Sequence, residues 1–200
     1  MKKTLVLSLG LALGLSSPWL LAQSQEPGSS AAAGTPTDAA STGQNKQDTR
    51  FLHKAAAGGI AEVELGQQAL QQAQSPAVKQ FAQQMVDDHS KANRELTELA
   101  ANKKITVPSE PDASSKALAS KLSSLKGDAY DKAYMAAMVK DHRKDVALFK
   151  RATQSQDQDI RQFAEKTLPV LEHHLSMAEQ VSKSLKGGSG TAAASSSSEQ

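Results

Sequence analysis

The sequence predicts an all-α protein built as a bundle of four long helices, with disordered arms at both ends. Three observations predict this class. Apolar residues recur about every 3.6 residues through four long segments, as on helices with one buried face. The alternating apolar and polar runs that indicate strands are missing from these segments. Both ends of the chain are rich in Ser, Ala, Gly and Thr and lack apolar periodicity.

The four long helices are predicted at 49–73, 76–101, 128–153 and 157–185. A short helix is predicted within the long connection, at 114–127. Pro76 suits the first turn of its helix, because the missing N–H has no helical partner there. Gly59 and Gly66 lie on the apolar face of the first helix, where small residues let two helices approach closely. Pro169 lies inside the last helix, where we expect a kink or a lost backbone hydrogen bond.

The connections between the predicted helices indicate the topology. Short links at 74–75 and 154–156 each join antiparallel neighbours. The middle link, residues 102–127, is long enough to run the whole length of the bundle, about 35 Å. A four-helix bundle with one long crossover is the ferritin-like arrangement. We therefore predict one ferritin-like domain over residues 48–186.

The N-terminus has the layout of a secretory signal peptide. Lys2 and Lys3 precede an apolar run at 5–15, and Ala22 is a small residue at a plausible cleavage point. The run is shorter than the roughly 20 residues of a comfortable membrane span. We therefore expect residues 1–22 to be removed on export, leaving a protein without a transmembrane span in the periplasm or associated with the outer membrane. An uncleaved anchor is the alternative.

The chain expected after cleavage has a balanced charge. Residues 1–22 hold two Lys and no acid, so 21 basic and 21 acidic residues remain. This balance lacks the basic surplus of nucleic-acid-binding proteins, and we expect no nucleic-acid partner. The chain has no Cys, so its stability must come from packing or from a bound ion. Residues 23–47 and 187–200 are predicted to be a disordered linker and tail. An envelope protein partner and the oligomeric state stay open.

Two nearly identical heptapeptides, MVDDHSK at 85–91 and MVKDHRK at 138–144, each place an Asp–His pair within a predicted helix. Because a helix turns by about 100° per residue, these pairs point toward the apolar face. Polar side chains of the other two long helices border or share that face. The candidate metal-site residues are Glu62, Asp88, His89, Asp141, His142, Asp145 and His174. Counting from the hairpin turns places His174 roughly 6–9 Å from the level of the other two histidines.

Buried carboxylates without partners cost several kcal/mol each, so this layer needs compensation. Three arrangements provide it: a divalent ion such as zinc, iron or manganese, a structural Asp–His network, or a water-filled cleft. Adjacent Asp and His side chains diverge by about 100°, whereas His142 and Asp145 can share one ion. The di-iron pattern of Glu-x-x-His on two helices is missing from the sequence, which favours a mononuclear or structural site.

Two functional hypotheses follow from this polar layer. The bundle is either a metal-binding or stress-related module of the cell envelope, or a non-enzymatic structural or interaction domain whose Asp–His network fixes the helix register. A ferritin-like redox enzyme is the least favoured alternative. The sequence contains no Ser-His-Asp order, nucleotide loop or glycine fingerprint, and it leaves enzymatic activity undecided.

Four segments together resemble a known family: FLHKAAAGGIAEVELG, VKQFAQQMVDDHSKAN, YDKAYMAAMVKDHRKDVALF and LPVLEHHLSMA. They are similar to domain-of-unknown-function family 4142, which comprises exported bacterial proteins with a ferritin-like fold, often labelled outer-membrane or periplasmic proteins. The resemblance covers about residues 48–183. It implies the fold and the compartment, and it assigns no activity.

Overall fold

A computed structural model describes residues 37–191, with side chains described for residues 45–187. This part of the chain is all-helical, with five helices and no strand. The helices are α1 (Thr37–Gln72), α2 (Pro76–Asn102), α3 (Ala113–Ser123), α4 (Gly127–Ala152) and α5 (Gln158–Thr191). The predicted signal peptide, the first part of the predicted linker and the end of the predicted tail lie outside the described residues.

The helix boundaries agree with the sequence prediction in the middle of the chain and differ at the two ends. Helix α1 begins at Thr37 instead of residue 49, so residues 37–47 of the predicted linker are helical. Helix α5 continues through Pro169 and ends at Thr191, beyond the predicted end. Once a helix is anchored by packing, each further residue adds one hydrogen bond without a new nucleation step. Extension of this kind needs no apolar face, so periodicity does not reveal it.

Contacts at the two ends of the bundle show the course of the crossover. Asp131, in the first turns of α4, accepts hydrogen bonds from the backbone N–H groups of Gln74 and Ser75 at 3.1 and 2.7 Å. The start of α4 therefore lies at the α1–α2 end of the bundle. Lys103, just after α2, pairs with Asp157, just before α5. The segment between α2 and α4, which contains α3, therefore returns along the whole bundle, as predicted.

The four long helices pack as two hairpins laid against each other. Helix α1 packs along α2, and α4 packs along α5. The hairpins meet where α2 contacts α5 and α1 contacts α4, while α3 lies against α1 and α4. All four neighbouring pairs are antiparallel, which is compatible with the predicted ferritin-like arrangement. None of the helices described is both long and apolar enough to cross a membrane.

The interior contains two apolar clusters with a polar layer between them. Phe81 and Tyr134 belong to the cluster toward the α1–α2 end, with ring centroids 6.2 Å apart. Phe51 and Phe149 belong to the cluster toward the α4–α5 end, with an edge-on contact at 5.0 Å. Each cluster draws on all four long helices. The polar layer is therefore bounded by apolar packing above and below.

Two glycines of α1 allow the close approach to α2 that the sequence predicted. A Cβ atom on Gly66 would lie 2.9 Å from Val86 Cγ2 and 3.1 Å from the carbonyl oxygen of Ala82. A Cβ atom on Gly59 would lie only 2.0 Å from the side-chain oxygen of Asn93. A larger residue at Gly66 would press on the backbone of α2, whereas one at Gly59 would first displace the side chain of Asn93. The part of α1 between these glycines is thereby held against α2.

Candidate metal centre

Three imidazole rings from three different helices meet in the polar layer. His89 of α2 is 5% exposed, and His142 of α4 and His174 of α5 are fully buried. The ring centroids lie 5.7 Å apart for His89–His142, 5.3 Å for His89–His174 and 5.4 Å for His142–His174. Each ring offers one nitrogen, and the three nitrogens all lie within 4.8 Å of one another. The rings therefore form a compact buried group.

The level of His174 differs from the sequence expectation of a 6–9 Å offset. Its ring is as close to His142 as to His89. Side chains on a helix lean toward the N-terminus of that helix. Because α4 and α5 are antiparallel, His142 leans toward the α1–α2 end while His174 leans the opposite way. The two inclinations bring the rings to one level.

The Asp residues beside the histidines lie further out than predicted. Asp88 and Asp141 keep side-chain exposures of 32% and 30%, whereas the neighbouring histidines are buried. The buried residues of α2 centre about 60° away from Phe81 around the helix axis, so His89 is central and Asp88 lies on the flank. The buried arc of α4 is displaced from Tyr134 in the same sense. Each Asp therefore lies toward the side of its buried face that is away from the histidine.

Carboxylates contact the outer nitrogen of two of the rings. Glu62 Oε2 lies 3.0 Å from Nδ1 of His89, and Asp88 Oδ2 lies 2.8 Å from Nε2 of His174. Nδ1 of His142 lies 3.1 Å from the carbonyl oxygen of Met138. It also lies 3.3 Å from Glu62 Oε1, but that contact lacks hydrogen-bond geometry. Every ring is thus oriented through one nitrogen, the pattern usual for metal-binding histidines.

These partners determine which ring nitrogens carry hydrogen. A carbonyl oxygen only accepts, so Nδ1 of His142 donates to Met138 and Nε2 keeps its lone pair. Burial would raise the pKa of Asp88, but hydrogen bonds from Gln84 and His174 lower it below its ordinary value. Asp88 is therefore ionised near neutral pH and accepts from Nε2 of His174. The lone pair of His174 then lies on Nδ1.

The opposite nitrogen of each ring has no hydrogen-bond partner in the described part of the protein. The three atoms are Nε2 of His89, Nε2 of His142 and Nδ1 of His174, all of them buried. More than nine in ten buried polar groups in proteins form hydrogen bonds, so three such atoms in one cluster require an explanation. Because each ring also brings a nitrogen within 4.8 Å of the other two rings, a metal ion bound by all three rings is the explanation we favour.

Burial sets the protonation of the layer in favour of metal binding. It lowers the pKa of all three histidines: that of His89 falls well below its ordinary value, and that of His174 falls to about 4 despite the opposing effect of Asp88. The imidazoles are therefore neutral near pH 7, the form that binds metals. Burial, with a smaller contribution from Asp141, raises the pKa of Glu62 to about 8. A cation beyond the ring of His89 would favour ionised Glu62, which then accepts from Nδ1 and leaves the lone pair on Nε2.

The two remaining predicted residues lie beside the imidazole group, outside the set of three converging nitrogens. Asp141 pairs with Lys144 of the same helix at 2.7 Å. Asp145 lies next to Glu62, and burial followed by the charge of Glu62 raises its pKa well above the usual range. That His142 and Asp145 can share one ion stays a prediction; the group of possible ligands that the described structure brings together consists of the three histidines.

Two cavities adjoin the polar layer. A groove of about 680 Å³ lies between α1, α4 and the start of α3, with exposed basic side chains at its rim. A second cavity of about 20 Å³ lies against His89, Asn93 and Thr167. Glu62 and Asp145 line both cavities. Sequence reasoning missed the groove, Asn93 and Thr167; the only available signal was the helical spacing of Asn93 from His89.

Three imidazole nitrogens are a suitable donor set for zinc and also suit iron, whereas manganese prefers oxygen ligands. Tetrahedral zinc with bonds of 2.0–2.1 Å places its nitrogen ligands about 3.3 Å apart. One nitrogen of each of His89, His142 and His174 lies within 4.8 Å of the others, so binding of one ion would require them to approach by up to about 1.5 Å. The three would leave one coordination position for water or another small ligand.

Comparison with known proteins places the chain in a family. Neither the curated proteins nor the solved structures include a significant match. The sequence profile of the family described as Domain of unknown function (DUF4142) matches residues 33–181, which contain all seven candidate residues. The match extends over most of the chain and agrees with the resemblance seen in the sequence. The protein therefore belongs to the DUF4142 family.

Proposed function

We propose that this protein is a metal-binding module that holds one divalent ion, with zinc the best fit, through His89, His142 and His174. Two observations carry the proposal: each of the three buried rings has one nitrogen without a hydrogen-bond partner, and the rings bring one nitrogen each within 4.8 Å of the others. Asp88 and Glu62 act as positioning residues, because each contacts the far nitrogen of a ligand ring.

The energetics of the layer support an ion. A buried polar group without a partner costs about 1–3 kcal/mol, so three such nitrogens burden the folded state unless a ligand satisfies them. An ion bound only by the folded chain would offset this cost and add stability that rises with the logarithm of its concentration above Kd. Such a contribution is useful in a chain without Cys, which has no disulfides to stabilise it.

Metal analysis of protein purified without an affinity tag tests the proposal directly. We expect about one equivalent of ion per chain and a melting temperature that falls on chelation, since an ion at 1,000 times its Kd contributes about 4 kcal/mol. His142→Ala combined with His174→Ala should abolish both effects, with circular dichroism to show that the variant is folded. Ion-free protein whose melting is unchanged by added zinc, iron or manganese would contradict the proposal.

We further propose that the module works outside the cytoplasm, in the periplasm or associated with the outer membrane. The support is the charged, apolar and small-residue layout of residues 1–22. Trp19 is the only Trp of the chain and lies in the segment expected to be removed. Protein from a periplasmic extract should therefore start near residue 23 by intact mass and lack tryptophan fluorescence. Full-length protein confined to the cytoplasm would contradict export.

A second candidate function is a structural or interaction domain without an ion. The observation in its favour is that each ring already has one partner, as in the pairs Glu62–His89 and Asp88–His174. Such a network can fix the register of helices even where it adds little stability. It predicts stability that depends on the histidines but is indifferent to chelators and added ions. The metal and melting measurements therefore separate the two functions.

A further inference from the structure

We propose that the ion reaches the three histidines through the groove between α1 and α4, passing the carboxylates of Asp145 and Glu62, and that Gly58 keeps this passage open. The inference rests on the proposed metal-binding function. It assigns roles to Asp145 and Gly58 that are separate from holding the bound ion.

The buried position of the rings requires a lateral route. His142 and His174 are fully buried, and apolar clusters close the bundle interior on both sides of the polar layer. A hydrated ion crossing either cluster would lose its water without gaining polar contacts. On the α1–α2 side, Gly59 and Gly66 bring the two helices close together, and the cavity against Gly59 and Asn93 has a volume of only about 20 Å³. The groove on the α1–α4 side is the large cavity that reaches the layer.

The inner part of the proposed path, from the groove to His89, follows from the residues that line the two cavities. Glu62 and Asp145 line the groove on one side and the small cavity on the other, so these carboxylates form the wall between them. The small cavity also contacts His89, the first ring that an ion passing this wall would meet. Its volume of about 20 Å³ is enough for one water molecule or a dehydrated ion. The path therefore has polar contacts at each step.

The chemistry along the path suits a divalent cation. Carboxylate oxygens replace part of the hydration shell of such an ion before the imidazole nitrogens replace the rest. Glu62 and Asp145 offer such oxygens where the groove meets the small cavity, so they can attract a divalent cation at that point. The rim opposes this attraction, because Lys54, Lys140 and Arg151 are exposed there. Replacing Lys140 by Gln should therefore speed uptake, most clearly at low ionic strength.

Gly58 offers a way to close the passage without damaging the core. The one atom within 4 Å of a Cβ added at Gly58 is Asp145 Oδ1, at 3.9 Å. A larger side chain would thus extend beside Asp145 into the groove. Gly is a poor helix former, so either Ala or Leu at this position should raise the melting temperature. Gly58→Leu then narrows the passage in a protein that is at least as stable as the wild type.

The test compares Gly58→Leu with Gly58→Ala and the wild type in the mature full-length protein. Chelated protein is mixed with Co²⁺, whose absorbance reports binding, and Kd is measured separately with Zn²⁺. For Gly58→Leu we expect an association rate lowered about 10-fold or more, with Kd changed less than about 3-fold. Gly58→Ala should stay within about 2-fold of the wild-type rate. Asp145→Asn should slow association without abolishing equilibrium binding.

The outcomes distinguish this inference from the proposed function. If Gly58→Leu takes up Co²⁺ as fast as Gly58→Ala, the groove is not the route and the inference fails while metal binding stands. If Gly58→Leu slows uptake only in proportion to a loss of affinity, the inference also fails. If the wild-type protein binds neither Co²⁺ nor Zn²⁺, the proposed function is wrong, and the proposed entry route is then wrong as well.

Discussion

The two similar heptapeptides, MVDDHSK in α2 and MVKDHRK in α4, bury their histidines alike but use their aspartates differently. His89 and His142 both point into the polar layer. Asp88 crosses to α5 and bonds His174, whereas Asp141 pairs with Lys144 on its own helix and lines the groove. The shared dipeptide therefore determines the direction of the imidazole. The neighbouring helix determines what the carboxylate does.

The arrangement of the helices explains this difference. Helices α2 and α4 lie diagonally across the bundle and run in the same direction. In both, the Asp lies one residue before the His, so it is turned by the same angle around the helix axis. Seen along the bundle axis, both Asp residues therefore point clockwise or both point anticlockwise, each toward the next helix. The next helix is α5 for α2 and α1 for α4. Helix α5 presents His174 there, while α1 presents small residues and the groove. The same Asp–His pattern thus places Asp88 where it orients the ring of His174 and Asp141 where it lines the groove.

The largest expected effect concerns what the two heptapeptides share. His89→Ala and His142→Ala should each weaken zinc binding by about 100-fold or more, because each removes one of three ligands. Competition against a chelating dye measures the affinity. His173→Ala is the matched control, since His173 is exposed beside buried His174 and should leave Kd unchanged. A loss confined to one of the two heptapeptides would refute the equivalence of their histidines.

The next effect concerns what the heptapeptides do not share. Asp88→Asn should weaken zinc binding about 10- to 100-fold, the usual consequence of losing a carboxylate that orients a ligand histidine. Asp141→Asn should change Kd less than about 3-fold, because its carboxylate bonds Lys144 and contacts no ligand ring. Equal losses in the two variants would show that the aspartates have the same role, contrary to the structure.

A stability measurement tests whether α1 packs more tightly against α2 than against α4. Gly66→Ala should cost about 1–3 kcal/mol of unfolding free energy, because the new Cβ meets Val86 and the backbone of Ala82. Gly58→Ala, on the groove side, should instead gain up to about 1 kcal/mol through helix propensity. Denaturant unfolding of the chelated proteins measures both. A neutral Gly66→Ala would mean that the α1–α2 contact is looser than the distances indicate.

The sequence was sufficient to predict the fold class and the burial of Glu62 and the three histidines of the polar layer. Helical periodicity and connection lengths need no tertiary information, which is why α2, α3 and α4 lie close to their predicted ranges. The burial of His89, His142 and His174 followed from the same periodicity. Whether they hold a metal stays a prediction, which the structure makes more specific by selecting three ligands from seven candidates.

The rest depended on quantities that a helical wheel does not contain. The centre of each buried arc depends on which residues the neighbouring helices cover, so Asp88 and Asp141 were placed too far inside. The level of His174 depends on the opposite inclination of side chains on antiparallel helices. The groove arises because α1 and α4 lack the tight contact of α1 and α2, a property of the assembled bundle. No local pattern records these features.

Asp157, which lies outside the polar layer, shows how much a charged carboxylate contributes to the stability of the fold without any role in metal binding. Burial would raise the pKa of Asp157, but hydrogen bonds from Lys103 and from the backbone N–H groups of Ile160 and Asp159 lower it below its ordinary value. A carboxylate with a lowered pKa stabilises the fold above the pKa of the unfolded chain, near 3.9, and this contribution is lost as the pH falls through the folded value.

Asp157→Asn should therefore cost about 1 kcal/mol or less near neutral pH, since Asn still caps α5 and the lost ion pair is partly exposed. The difference from the wild type should shrink below about pH 4 and vanish near pH 2. Denaturant unfolding of chelated protein across this range measures it, with Asp87→Asn as an exposed control. If the difference persists in acid, Asp157 stabilises the fold through hydrogen-bond geometry and not through its charge. Its charge would then not set it apart from Asp88, whose replacement should instead change the affinity for zinc.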